Sequence, residues 1–335
     1  MKDGQRVPEA DLSRIRTVPI ARRANKVDPT LLAKAPPRGE RSFDLFLESL
    51  PDILAAKDLR AVVADIAAAA GRRAVITMIG GHVIKVGLGP LLIDLMKKGF
   101  VSGVAMNGAA LIHDFEIALA GSTSEDVEAG IGAGAFGMAE ETGRTLNDIA
   151  KLAQRLRMGY GEAAGQYLSS GVLPAKHSNE SVLMQAYRLR IPVTVHLAIG
   201  TDIPHMHPAA DGAALGAASF SDFRLFCALV QQMDGGGAYL NWGSAVLLPE
   251  VFLKAVSVVR NLGVGLQPIT TANFDFIQHY RPLQNVVKRP TAASKSGKGK
   301  GSRGFAITGH HELLFPLVAA ALAEGWPKSS KHRRA

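Results

Sequence analysis

The 335-residue chain has one cysteine, Cys227. No internal disulfide can form, and the apolar helical pattern around it, SFSDFRLFCALVQQM, makes a buried thiol the ordinary reading. The N-terminal MKDGQRVPEADLSRIRTVPIARR has no apolar region followed by a small-residue cleavage site. Nowhere does an uncharged apolar run reach the length of a bilayer span. These absences exclude a disulfide-built secreted scaffold and lead to the expectation of a soluble cytoplasmic protein with no membrane contact. A full Gly-x-Gly-x-x-Gly turn is missing too, since Gly87-Leu88-Gly89-Pro90 supplies only its first half. No internal repeat is visible.

What is present suffices for a large core: 47% of residues are hydrophobic and 20% charged. The net charge of +9 could suggest nucleic acid, but much of the excess lies in three polar segments, residues 14–26, 288–303 and 328–334. Runs rich in Ser, Gly and Lys read as solvated loops and tails, so no nucleic-acid partner is expected. The organisation read from this pattern is a polar arm over residues 1–40, one domain over 41–325 and a basic tail over 326–335. The Lys-rich stretch 294–303 is expected to be mobile.

Strand and helix patterns alternate along the domain. Residues 43–70 carry apolar positions at helical spacing, interrupted at Pro51, and Gly71 closes the run before strand-like AVITMI. Leu91, Leu92, Leu95 and Met96 form one helical face, which Gly99 ends ahead of the strand VSGVAM. IPVTVHLA, AYLNW, GLQPITTA and FAITG read as further strands. FRLFCALVQQM, PEVFLKAVSVVRNLG and HHELLFPLVAAALAEG read as helices, the second opened by Pro249. The Pro within GLQPITTA favours an edge or irregular place for that strand. Such alternation predicts an α/β fold with a doubly wound, mostly parallel sheet and helices on both faces. Ligands of such sheets bind beyond the carboxyl ends of the strands. That rule directs attention to residues 76–116, where two strands end in small residues followed by ionisable groups.

The histidines are unusually grouped. His205 and His207 flank Met206, His310 and His311 stand beside Glu312, and His113 precedes Asp114. On a strand His205 and His207 would share a face and could hold a metal with a third ligand, but the prolines bracketing them indicate a loop, and no metal is assigned. His113 is the first candidate for a general base, with the adjacent Asp114 orienting it.

The order of segments resembles deoxyhypusine synthase and its relatives over about residues 40–325. Ile79-Gly80-Gly81-His82 and Asn107-Gly108-Ala109-Ala110 are similar to that family's two small-residue turns, with His113, Asp114 and Glu116 following the second. Gly200-Thr201-Asp202 is similar to its Thr-Asp-Gly turn, and Leu240-Asn241-Trp242-Gly243-Ser244 to its Gly-rich strand end. Thr270-Thr271-Ala272-Asn273-Phe274-Asp275 and Leu314-Phe315-Pro316-Leu317 look like its later strand and final helix. The resemblance implies one Rossmann-like domain, a homotetramer with sites near its interfaces, and NAD as cofactor. It implies Gly80, Gly81, Asn107, Gly108, Asp202, Gly243, Ser244, Thr271 and Ala272 as cofactor neighbours. Glu116, Asp275 and His310 would then face an amine substrate.

The departures are equally specific. Leu247-Leu248 stand where the family has His-His, Ile112-His113-Asp114 replaces its acidic helix start, and its Trp-Gly-Lys motif is missing. Lys288 is the nearest substitute lysine by chain order. These features lead to the expectation of a divergent relative: an NAD-dependent transferase or dehydrogenase acting on a polyamine-like or guanidino amine, with His113, Asp114 and Lys288 catalytic. Two other classes remain open. One is an NAD-binding regulatory or structural protein without transfer activity, and the other is a metal-assisted enzyme using His205, His207 and His310.

Overall fold

The computed structural model describes Arg16 and residues 29–34, 42–292 and 301–326. Most of the expected arm (1–40), nearly all of the tail (326–335) and most of the Lys-rich stretch lie outside the described residues.

Helices α1 (Phe43–Ser49) and α2 (Leu54–Ala69) precede strand β1 (Val75–Ile79), and α3 (Gly81–Lys85) and α4 (Gly89–Lys97) lead to β2 (Gly103–Asn107). Then come α5 (Gly108–Ala120), α6 (Val127–Ile131), α7 (Glu140–Leu156), α8 (Tyr160–Ser169) and α9 (Val182–Leu189) before β3 (Val193–His196). A 3-10 turn (Ile203–Met206) and α10 (Gly212–Gln231) connect to β4 (Ala238–Trp242), and α11 (Leu247–Asn261) to β5 (Thr270–Asp275). After β5 follow α12 (Tyr280–Pro282), a π-helical stretch (Leu283–Lys288), α13 (Arg289–Ala292), β6 (Arg303–Thr308) and α14 (His311–Ala323).

The boundaries follow local chemistry. Ser42 caps α1 by accepting from the Leu45 amide, and the chain leaves the helix before Pro51. Asn107 caps α5 by accepting from Ala110 N at 2.9 Å, and Gly121, in the left-handed region at φ 73°, ends it. α11 opens at Leu247, two residues earlier than its proline suggests. Pro249 falls in the first turn, where its missing N–H has no intrahelical partner to lose.

All six strands are parallel, in the order β3-β2-β1-β4-β5-β6. This is the doubly wound Rossmann-type order, with its switch point between β1 and β4. β5 is internal and not at an edge, and the irregular place that its proline also allowed is the one found. Pro268 lies ahead of the strand, so the ladder loses no donor.

Alternation along the strands divides the core into two layers. Val75 and Ile79 of β1 join the layer formed with α2, α4, α5 and α14, while Ile76 and Met78 join the layer under α10 and α11. α10 has the length and apolarity of a membrane-crossing helix, yet Phe226, Leu229 and Val230 are buried in the second layer. Cys227 is buried there as well. Each such large apolar side chain contributes about 1.5–3 kcal/mol by leaving water. Asp222 of α10 ties three elements together, accepting from Val195 N of β3 at 2.7 Å and from Gly161 N of α8 at 3.0 Å.

Candidate functional site

The carboxyl ends of β1 and β4 meet almost without side chains. Gly80 N donates to Trp242 O at 2.9 Å, continuing the ladder one residue past β1. A Cβ on Gly80 would lie 2.4 Å from the Gly243 carbonyl oxygen, so this contact admits only glycine. Gly243 itself has φ 68°, and a Cβ there would stand 2.7 Å from the His311 ring. Backbone therefore floors the crevice at the switch point. Below it, Asn241 donates to Asn273 Oδ1 at 2.7 Å and to Ser244 O at 3.0 Å, and Asn273 donates to Gln278 Oε1 at 2.7 Å. This buried chain pins the ends of β4 and β5. The Ser244 hydroxyl accepts from Leu248 N at 3.2 Å, and Leu248 is itself a core residue.

On one side of the floor stands an imidazole group. His311 is buried; its Nε2 donates to Phe274 O at 3.1 Å and lies 3.9 Å from an Asp275 oxygen. Its Nδ1 finds no hydrogen-bond partner among the described residues. His82, exposed at the start of α3, has its ring centroid 5.4 Å from that of His311. Burial, with the positive charge of Lys85 added, pulls the His82 pKa down against the pull of Glu312 and Asp275. His310 is exposed at the cap of α14 and stacks on Phe276 at 6.0 Å.

On the other side, α5 carries the second group. A Cβ on Gly81 would lie 3.1 Å from His113 Cδ2 and 2.9 Å from Ala109 Cβ, so the His113 ring rests against the first residue of α3. His113 Nδ1 is 2.7 Å from Thr123 Oγ1, which donates to Glu116 Oε2 at 2.5 Å. Thr142 Oγ1 of α7 donates to the other Glu116 oxygen at 3.0 Å. Both oxygens of Glu116 thus accept hydroxyls, at the edge of the cleft that the residue also lines. Burial holds the His113 pKa below the usual histidine value, partly opposed by the Glu116 charge.

A cleft of about 230 Å³ opens beside this ring, lined among others by Lys85, Glu116, Glu125 and Asp202. Asp202 reaches it from the loop after β3 and stands over the start of α5. Burial raises its carboxyl to about 6, and Oδ2 has no hydrogen-bond partner among the described residues.

The sequence-derived residues therefore divide. Gly80, Gly81, Asn107, Gly108, His113, Glu116, Asp202, Gly243, Ser244, Asp275 and His310 gather around the crevice or its rim. Asp114 does not: fully buried, it accepts from Ser181 Oγ at 2.7 Å, Val182 N at 2.7 Å and Leu183 N at 3.0 Å, at the start of α9. Consecutive helical residues point about 100° apart, so Asp114 turns away from His113 and does not orient it. Thr271 and Ala272 lie buried early in β5, Thr271 donating to Val286 O at 2.7 Å, and neither reaches the strand's carboxyl end. Lys288 is exposed at the end of the π-helical stretch, whose Val287 backbone abuts Gly304 near the start of β6. That is the amino edge of the sheet, roughly 15 Å from the crevice by the rise of β5, so Lys288 does not join the site within this chain.

His205 and His207 also separate. His205 Nδ1 accepts from Gly200 N at 3.1 Å, while His207 pairs with Glu140 at 3.1 Å and accepts from Ala209 N at 3.0 Å. Among the described residues no group of three or more His, Cys, Asp or Glu is placed to hold a metal, so the metal-assisted grouping is not assembled. Sequence reasoning missed Thr123, Thr142, Lys85 and Glu125, and chose His310 where its neighbour His311 faces inward.

These features suit a nucleotide that accepts and donates many hydrogen bonds. Asp202 Oδ2 and His311 Nδ1 are buried polar atoms without a hydrogen-bond partner among the described residues, and the glycine floor permits close approach of a planar ring or a phosphate.

Fold and crevice define a Rossmann-type α/β protein. No family model matches the chain, and no curated protein does. Among solved structures, unliganded AgrE is similar at 15% identity and a TM-score of 0.50, covering 81% of this chain and 34% of that one. AgrE in a ternary complex with ornithine and NAD+ matches at 15% identity and a TM-score of 0.48, covering 82% and 34%. A putative deoxyhypusine synthase from Entamoeba histolytica matches at 10% identity and a TM-score of 0.46, covering 84% and 92%. The chain thus spans about a third of the length of the AgrE chains it matches.

Proposed function

We propose that this chain is an NAD-dependent enzyme that oxidises a primary or secondary amine, of polyamine, amino-acid or guanidino type, in the crevice between β1 and β4. The observation that carries this reading is the contact of His113 with Gly81. It sets a base against the strand end where the cofactor of a Rossmann-type sheet sits, beside a cleft lined by Glu125 and Asp202.

NAD, when bound, supplies the hydride acceptor. Gly80, Gly81, Gly243 and Ser244 would face it with backbone, and Asp202 and His311 with side chains. Glu125 attracts the substrate's cationic nitrogen. His113 takes the proton from the amine nitrogen while the carbon beside it gives up its hydride, leaving a C=N bond. Hydrolysis of that bond, or its transfer to a second amine, is the next event. No lysine at the position of Lys288 is required for the oxidation. Assembly into a homotetramer belongs to the same proposal on the strength of the sequence resemblance, and a cytoplasmic place on the strength of the lone cysteine.

The test is titration of purified protein with NAD by thermal shift, then nicotinamide absorbance after adding spermidine, putrescine, agmatine or ornithine. NAD stabilisation with an amine-dependent rise in NADH supports the proposal. Stabilisation with no turnover of any amine favours a binding role, and no NAD effect overturns the cofactor assignment.

A further inference from the structure

We infer that Thr123 is a positioning residue for His113, fixing its neutral ring with the proton on Nδ1 so that Nε2 faces the crevice as a proton acceptor. The inference rests on the base role proposed above for His113, but its structural half stands on hydrogen-bond accounting alone.

A threonine hydroxyl has one proton to donate and lone pairs to accept with. Thr123 Oγ1 lies 2.5 Å from Glu116 Oε2 and 2.7 Å from His113 Nδ1. An ionised carboxylate only accepts, so the hydroxyl proton goes to Glu116 and the hydroxyl lone pair is left for His113. Nδ1 must then carry the imidazole proton. The other Glu116 oxygen is held by Thr142 Oγ1 at 3.0 Å, which keeps the carboxylate from rotating toward the ring. His113 and Glu116 are one helical turn apart on α5, Thr123 follows the helix, and Thr142 comes from α7. Four side chains from three segments thus set one tautomer.

On the far side of the ring, Cδ2 lies against Gly81, and the ring borders the cleft. The groups facing it are Lys85 of α3, whose positive charge opposes protonation of the ring, and Glu116, which favours it. Burial is the largest influence and favours the neutral form. A neutral imidazole with its lone pair on Nε2 is the form a general base needs.

The experiment is nitrogen NMR on histidine-labelled full-length protein, with His113 assigned by its disappearance in His113→Gln. The wild type should show the Nδ1–H tautomer. Thr123→Val should lose it, while Thr123→Ser, which keeps the hydroxyl, should restore it. A wild-type His113 carrying its proton on Nε2, or an unchanged tautomer in Thr123→Val, overturns the inference. Once a turned-over amine is found, Thr123→Val should cost roughly 10-fold or more of the 10²–10⁴ that a general base supplies, with Thr123→Ser near wild type. Equal rates for Thr123→Val and wild type also count against it. Absence of any amine turnover would defeat the proposed function, while the NMR result would decide the tautomer independently.

Discussion

Asp202 and Gly108 meet so closely that a methyl group on Gly108 would stand 2.0 Å from an Asp202 carboxylate oxygen. Gly108 is not in the left-handed region, so here glycine supplies space rather than backbone freedom. The carboxylate takes the place at the start of α5 where an anion would otherwise rest, next to the positive end of that helix. Gly108→Ala should therefore destabilise the protein by about 1–3 kcal/mol through overpacking and abolish any NAD-induced thermal shift. Adding Asp202→Ala to that variant should restore much of the stability, read as the urea midpoint, without restoring the NAD response.

Asp222 makes a pH-dependent contribution whose sign is unusual for a carboxylate. Burial raises its pKa from 3.8 to about 7, against hydrogen bonds from Val195, Gly161 and Tyr160 that favour the charged form. Between about pH 4 and 7 the folded chain then binds a proton that the unfolded chain releases, so this contribution declines as pH rises through that window. The loss is on the order of a few kcal/mol. Asp222→Asn should lack it, and the difference in unfolding free energy between wild type and variant, measured from pH 4 to 8, should fall with rising pH. A constant difference would show that Asp222 ionises normally.

Asp114 is expected to act on stability and not on chemistry. Asp114→Ala leaves the Ser181 hydroxyl and two amides of α9 unsatisfied in the core, a cost of about 3 kcal/mol or more. Denaturant titration should show that loss. At temperatures where the variant stays folded, the His113 tautomer should be unchanged.

His113→Ala and Lys288→Ala should separate cleanly. The first should lower amine-dependent NADH formation by roughly 10²–10⁴ with NAD binding retained. The second should leave both unchanged, because Lys288 lies at the amino edge of the sheet. A large loss in Lys288→Ala would bring the lysine back into the mechanism, through a neighbouring subunit.

Much of the architecture was readable because most of the parallel strands are short runs closed by Gly, Asn or Asp. Ile79-Gly80, Asn107-Gly108 and Trp242-Gly243 all sit where the sequence reading put strand ends. The strand order was not encoded locally; it depends on which helices cover which face. Two departures at the site, Asp114 beside His113 and His207 beside His205, arise where neighbours in sequence were read as neighbours in space. His113 and Asp114 are adjacent yet diverge on a helix, while His113 and Glu116, three apart, converge. The helical pattern of α5 already contained that information. The partnership with Thr123 did not show, since it arises only when the chain turns back after Gly121. His310 and His311 were equivalent in sequence, and only the cap geometry of α14 decides that the second points into the core.

Trp242 lies flat against Phe274, ring centroids 3.9 Å apart and planes inclined by 4°, one residue before the glycine that floors the crevice. The chain has two tryptophans, and the other, Trp326, sits under Arg60. One of two indole emitters is thus built into the crevice floor, and its ultraviolet emission overlaps the absorption band of a reduced nicotinamide. On the proposed cofactor assignment, occupancy of the crevice by a reduced nicotinamide should register as quenching of intrinsic fluorescence with energy transfer to that ring, an optical readout of cofactor redox state built into the fold.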